Sequence, residues 1–211
     1  MSRHYTPEEV EQRYVGAKGE DLGRVFYQLF NECAHVHLKW RTFVTLFGTS
    51  EERVNLLNDA AGSFFGMLQA VLWEDVLLNI ARLTDKPSVA GHSVLTLRRL
   101  PDLAKDVSGL EGAMDTMDKK VRFVRDWRNR HLAHRNLDLA LDRAEPLEGA
   151  SRQKVYEALG AIAASLNTVE GHYCDDAPSA YDFGIDGRGD PDDLLRLLKI
   201  GIAAGKVEFR Q

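Results

Sequence analysis

The chain has 211 residues, 44% of them hydrophobic and 28% charged, with a formal net charge of −5. That length fills one domain well, and so apolar a composition excludes disorder over most of the chain. Charge interrupts each apolar stretch before the roughly 20 residues that a membrane-spanning helix needs, and the first residues, MSRHYTPEEVEQRY, offer no apolar leader. Two cysteines, Cys33 and Cys174, cannot by themselves form a disulfide framework or a four-ligand zinc site. The expectation is a cytoplasmic protein with reduced thiols, no membrane segment, no metal and no cofactor.

Helical periodicity runs through nearly the whole chain. Residues 21–47 read as one helix, with Leu22, Val25, Phe26, Leu29, Phe30, Cys33, His37 and Trp40 at helical spacing. Gly48-Thr49-Ser50 ends it, and Ser50 followed by Glu51 and Glu52 opens the next as N-cap and first turn. That second helix runs to about residue 84. Its Leu68, Val71, Leu72, Val76, Leu78, Ile80 and Leu83 predict a central and largely buried position.

Asp85-Lys86-Pro87 breaks the pattern, and a short helix is expected near residues 93–100. A long helix should follow over about 109–134, then a polar connection over 135–150. Ser151 caps a helix to about residue 173, with Val155, Leu159, Ile162, Ala163 and Leu166 as its apolar stripe. Residues 174–189, rich in Asp and Gly, read as a loop. Asp190 then caps a last helix with Pro191 at its first position and Asp192 and Asp193 in its first turn. No sustained period-2 alternation and no repeat occurs, so the fold class is all-α, a bundle of four to five main helices. The organisation expected is a helical domain over 1–175, with an acidic loop and C-terminal helix, 176–211, packed on it.

Charge is unevenly distributed. Residues 1–118 carry 12 basic and 17 acidic side chains, residues 119–135 carry 7 and 1, and residues 136–211 carry 8 and 14. One basic block, KKVRFVRDWRNRHLAHR, thus sits in an acidic chain and could meet a phosphate backbone, or pair with acidic neighbours as a solvated helix face. On a regular helix, Phe123, Trp127, His131 and His134 would share a face, with Arg128 and Arg135 at its edge. An imidazole moves protons near neutral pH and a guanidinium grips phosphate with paired hydrogen bonds. Together they suit attack of a ribose 2′-hydroxyl on the adjacent phosphodiester, which needs a base, an acid and positive charge but no metal.

Arg128-Asn129, followed after the intervening residues by His134, resembles the R-x(4-6)-H signature of HEPN domains. WEDVLLNIARLTDKP (73–87), SVLTLRRL (93–100) and RNRHLAHR (128–135) together resemble the abortive-infection branch of that superfamily, over roughly residues 20–175. The resemblance implies an all-helical bundle and a metal-independent endoribonuclease of a toxin–antitoxin or abortive-infection system. By the same resemblance His134 is the base or acid, Arg128 the phosphate binder and Asn129 a polar orienter. Arg125, Arg130, His131 and Arg135 are candidate RNA contacts. The implied partners are RNA, a second copy of the chain and a cognate antitoxin or regulator. The alternative is a non-catalytic HEPN module that binds a partner protein, nucleotide or RNA.

Glu74, Asp75, Asn79, Arg82 and Asp85 interrupt the apolar central helix, and Asp75, Asn79 and Arg82 share a face at spacings of four and three. They either orient Arg128 or His134 or pair with one another. A metal hydrolase built on His35, His37, His131 and His134 is disfavoured, because no H-E-x-x-H motif occurs and His35 and His37, two residues apart, point to different helix faces. GAKGEDLG lacks both the phosphate-loop pattern and a preceding strand, and no G-x-S-x-G elbow is present.

Overall fold

Thr6 begins the first helix in a way that periodicity alone does not reveal. In the computed structural model, which describes residues 5–174, 179–181 and 189–208, its hydroxyl accepts from the Glu9 amide at 3.2 Å. The Glu9 carboxylate returns the bond to the Thr6 amide at 2.8 Å, so α1 (Pro7–Lys18) opens with a complete capping box. Gly19, at φ 82°, turns the chain into α2 (Glu20–Phe43). There Gly23 permits close backbone approach: a Cβ would lie 2.5 Å from the Val15 Cα. Gly23→Ala is therefore expected to push α1 outward and lower stability by about 1–3 kcal/mol, read as a lower urea midpoint.

The remaining elements are a π-turn at Val44–Gly48, α3 (Glu51–Thr84), β1 (Ser88–Val89) and β2 (His92–Ser93), and a 3₁₀ turn at Leu97–Arg99. Then come α4 (Leu100–Leu103), α5 (Leu110–Lys120), α6 (Arg122–Trp127), a π-turn at Arg128–Leu132, α7 (Leu137–Ala140), α8 (Arg152–Tyr173) and α9 (Pro191–Glu208). The class is all-α, as the periodicity indicates. The one sheet among the described residues is the two-residue hairpin β1–β2.

The chain forms two compact units, each built from separate stretches. The first comprises Met1–His35 and Leu77–Tyr181, and the second Val36–Val76 and Asp182–Gln211. The expected boundary at residues 175 and 176 lies outside the described residues, and so does most of the expected 174–189 loop.

In the first unit α8 packs along α5. Phe26 and Leu29 from α2, Leu77 and Ile80 from α3, Met117 from α5 and Ile162 from α8 are fully buried in its core. In the second, Leu46, Leu57, Phe65 and Leu195 form a small core that Phe47, Leu56, Leu68 and Leu198 flank. Ion pairs Arg53–Asp192 (2.9 Å), Lys199–Glu52 (3.2 Å) and Arg41–Asp190 (3.6 Å) edge it. The Ser50 cap forms as expected, its hydroxyl accepting from the Arg53 amide at 3.3 Å. Asp190 likewise accepts from the Asp192 amide at 2.8 Å.

Three expectations need correction. The helix over 51–84 is interrupted at Ala61 (φ −165°, ψ 68°), beside Gly62, a weak helix former. It is also not largely buried: Phe64, Met67 and Val71 are each more than half exposed, while the stretch from Val76 to Thr84 is mostly buried. By length and composition α3 is apolar enough to cross a membrane; a third of its most apolar window is buried in the structure, through residues that belong to the two cores. Finally, the helix over 109–134 is two short helices meeting at Val121 and ending in a π-turn.

Candidate functional site

The carbonyl end of α3 organises the site. A helix C-terminus carries partial negative charge and unpaired carbonyls, so cations collect there. Thr84 turns its hydroxyl back to the Ile80 carbonyl at 2.8 Å. Its own carbonyl accepts from Arg98 Nε at 2.9 Å and from Arg125 Nη2 at 3.4 Å. Asp118 on α5 pairs with both arginines, hydrogen-bonding Arg98 and standing 3.6 Å from Arg125. Asp85, the next residue of the chain, pairs with Arg128 Nη2 at 2.9 Å.

The hairpin after Asp85 is held by the neighbouring arginine. Arg99 donates to the Val94 carbonyl at 2.6 Å and to the Pro87 carbonyl at 2.8 Å. Ala90 (φ 50°) and Gly91 (φ 80°) make its two-residue turn, with both positions left-handed, as the twist of a tight hairpin requires. Arg98 and Arg99 of the RRL segment thus fix the end of α3 and the hairpin beside it.

The motif itself lies on widened helix. The Ala133 amide donates to the Arg128 carbonyl at 2.9 Å, a five-residue reach that defines a π-turn. The extra residue in this turn breaks the regular spacing that would align Phe123, Trp127, His131 and His134. Phe123 is buried, Trp127 and His131 are half-buried, and His134 stands exposed beyond the end of the helix. The expectation that both histidines share the apolar face is therefore corrected for His134. His131 keeps it, its ring edge-on to Trp127 at 5.7 Å between centroids.

Arg128 Nη1 also donates to Asn129 Oδ1 at 3.1 Å, so one guanidinium is oriented from two sides. Ala81, Asp85, Lys86, Ser88, Val89, Arg125, Arg128 and Asn129 line a cavity of about 330 Å³. A second cavity, of about 650 Å³, is lined by His131, Arg135 and Asn136 with Leu139, Ala140, Pro146 and Leu147 among its walls. Arg135 is exposed at it.

Arg130, one of the candidate RNA contacts, has its guanidinium engaged within the chain. It reaches Asp126 Oδ1 at 3.1 Å, hydrogen-bonds the Glu145 carbonyl and approaches the Pro146 carbonyl at 3.5 Å. Asp126 accepts from the Glu148 amide at 2.8 Å, and Trp127 Nε1 donates to the Glu148 carbonyl at 2.8 Å. Asp126, Trp127 and Arg130 together clamp the 145–148 loop onto the motif. The basic block is thus partly neutralised by acidic neighbours, as one of its two readings anticipates.

Asp75, Asn79 and Arg82 differ in their surroundings. Asp75 pairs with Lys39 at 2.7 Å in the second unit, Asn79 is buried, and Arg82 is exposed. The carboxylate that holds Arg128 is Asp85, which sequence spacing alone does not single out. Its signal was its place just past the helix end, in the LTDKP segment. Among the described residues no three His, Cys, Asp or Glu side chains converge as a metal-binding set.

No match to the chain was found among curated proteins or solved structures. The sequence model of one family, HEPN_AbiU2 (AbiU2), matches residues 19–193 and so takes in α2, α3, the hairpin, the RN-x(4)-H motif and α8. The chain is a HEPN-type abortive-infection domain protein and belongs to the AbiU2 family.

Proposed function

We propose that the protein is a metal-independent endoribonuclease of an abortive-infection or toxin–antitoxin defence system, working in the cytoplasm as a homodimer whose two motifs line one cleft. The observation that carries this reading is the setting of Arg128. It faces a cavity, held by Asp85 and Asn129, with the exposed imidazole of His134 in the same short motif.

In this reading the phosphate to be cleaved lies against Arg128, whose remaining N–H groups face the charge that develops on the phosphorane. The substrate's own ribose 2′-oxygen forms the new bond to phosphorus and the 5′-oxygen leaves. The products are a 2′,3′-cyclic phosphate and a 5′-hydroxyl. His134 moves a proton on this path, as base toward the 2′-hydroxyl or as acid toward the leaving oxygen; its counterpart in the second copy serves the opposite step. Asn129 orients Arg128. Arg125, His131 and Arg135 border the two cavities and contact the strand on either side. A cognate antitoxin or trigger protein controls access.

The test is incubation of the purified protein with end-labelled RNAs of varied sequence in EDTA. Cleavage leaving cyclic phosphate ends, abolished by 2′-deoxy substitution at the cleaved position, is the expected result. It should rise more than linearly with protein concentration where the dimer dissociates. Cleavage that requires added metal, or none with any RNA, overturns the reading. A second reading, a non-catalytic HEPN module, draws on one specific observation: Arg125, Arg128 and Arg130 all have acceptors within the chain. RNA or protein binding without cleavage identifies it.

A further inference from the structure

Away from the motif, the first unit buries a lysine against a cysteine. Lys18, the last residue of α1, is only 8% exposed, and its Nζ lies 3.1 Å from the Sγ of Cys174, the residue that ends α8. The rings of Phe26, Tyr14 and Tyr173 surround the ammonium at 4.7, 4.8 and 5.7 Å. Among the described residues no carboxylate lies within ion-pair distance of Lys18; the nearby Glu170 accepts instead from the Tyr14 hydroxyl at 3.1 Å and the Ser179 amide at 3.3 Å. A charged amine held by three aromatic faces and a single sulfur is an unusual way to bury a lysine, because a thiol is a weak acceptor.

We propose that Lys18 and Cys174 are an oxidative cross-linking site, at which hydrogen peroxide joins Sγ to Nζ as a sulfenamide. Cysteine reacts with peroxide as the thiolate. In the first step the sulfur takes one oxygen from hydrogen peroxide, giving Cys174–SOH and water. The sulfur is oxidised and the peroxide reduced. Lys18 then releases one proton to solvent, and its lone pair forms the S–N bond. The S–O bond breaks, and the hydroxide leaves as water with a second proton from nitrogen. A thiol reductant returns both side chains.

Geometry favours this outcome over deeper oxidation. The nitrogen already stands at the separation of a near-attack pair, so capture of the sulfenic acid needs little movement. Cys33, the other thiol, is fully buried, and burial pushes its pKa well up, so it is a poor competitor. Cys174 is half-buried, within reach of a small oxidant. The link would staple the end of α1 to the end of α8, closing 156 residues of chain. Like a disulfide across a long loop, it would raise the unit's resistance to unfolding.

The experiment treats the purified full-length protein with hydrogen peroxide and reads intact mass, peptide map and melting temperature. The expected result is a monomer lighter by two hydrogens, with the Lys18 and Cys174 peptides joined, a higher melting temperature, and reversal by dithiothreitol. Cys33→Ala keeps the link, while Lys18→Met and Cys174→Ser lose it. A gain of two or three oxygens on Cys174 with the Lys18 peptide unmodified overturns the proposal, and so does a link that requires Cys33. Peptide mapping of the unsubstituted protein decides the matter even if a variant fails to fold.

Discussion

His134→Ala lowers metal-independent RNA cleavage by about 10²- to 10⁴-fold, the usual worth of a positioned acid or base, with the helical spectrum and urea midpoint unchanged. The second half of that expectation follows from position. His134 lies past the last turn of the π-widened helix and is exposed, so its removal deletes no buried surface. His131→Ala is the informative contrast. His131 packs against Trp127, whose indole also holds the 145–148 loop, so its loss should cost about 1 kcal/mol of stability and less activity than His134→Ala. Full activity of His134→Ala beside an inactive, folded His131→Ala would transfer the proton-moving role to the wrong histidine for the family motif and overturn the assignment.

The parts of this protein legible in its sequence are those fixed by local chemistry. Ser151 followed by an apolar stripe fixes α8, Ser50-Glu51-Glu52 fixes the start of α3, and Asp190-Pro191 fixes the start of α9, because caps and first-turn charges act within four residues. The helix α1 shows how periodicity can mislead. Its Thr6–Glu9 capping box is readable, but its apolar stripe is too weak to register, and its place is set by the close approach of Val15 to Gly23. The break at Val121 has neither glycine nor proline to announce it. There α5 and α6 both bury their neighbours, Met117, Val121, Phe123 and Val124, and a continuous helix would not present all four to the core.

The site divides in the same way. Arg128, Asn129 and His134 are visible as a motif, yet the spacing rule that puts both histidines on one helical face fails at the π-turn. No residue type marks such a turn. What orients the arginines comes from elsewhere in the chain: Thr84 and Asp85 at the end of α3, and Asp118 on α5. Such pairings depend on how helices pack, and a single sequence does not reveal them. Of the polar residues on the central helix, a shared helical face singles out Asp75, Asn79 and Arg82 and leaves Asp85 aside. The partner that the structure supplies lies three residues beyond them, where the helix has already ended.

Arg128→Ala is expected to lower cleavage by about 10²- to 10³-fold, the loss typical of removing one charge-stabilising donor, and Arg128→Lys to restore little of it. A lysine would put one compact charge where the guanidinium holds Asp85, Asn129 and a phosphate through separate N–H groups. Asp85→Asn tests whether the carboxylate positions the arginine. The pair is half-buried at 2.9 Å, so the substitution should cost little stability. It frees the guanidinium to leave the productive geometry, and a misplacement on the order of 1 Å lowers the rate by about 10²-fold. The effect should fall on kcat more than on KM. Because Asp85 acts through Arg128, the double substitution should be no worse than Arg128→Ala alone, a non-additivity that a merely structural carboxylate would not produce. Faster cleavage by Asp85→Asn would mean the opposite: the carboxylate competes with phosphate for the same guanidinium, and the ion pair at the end of α3 is a brake.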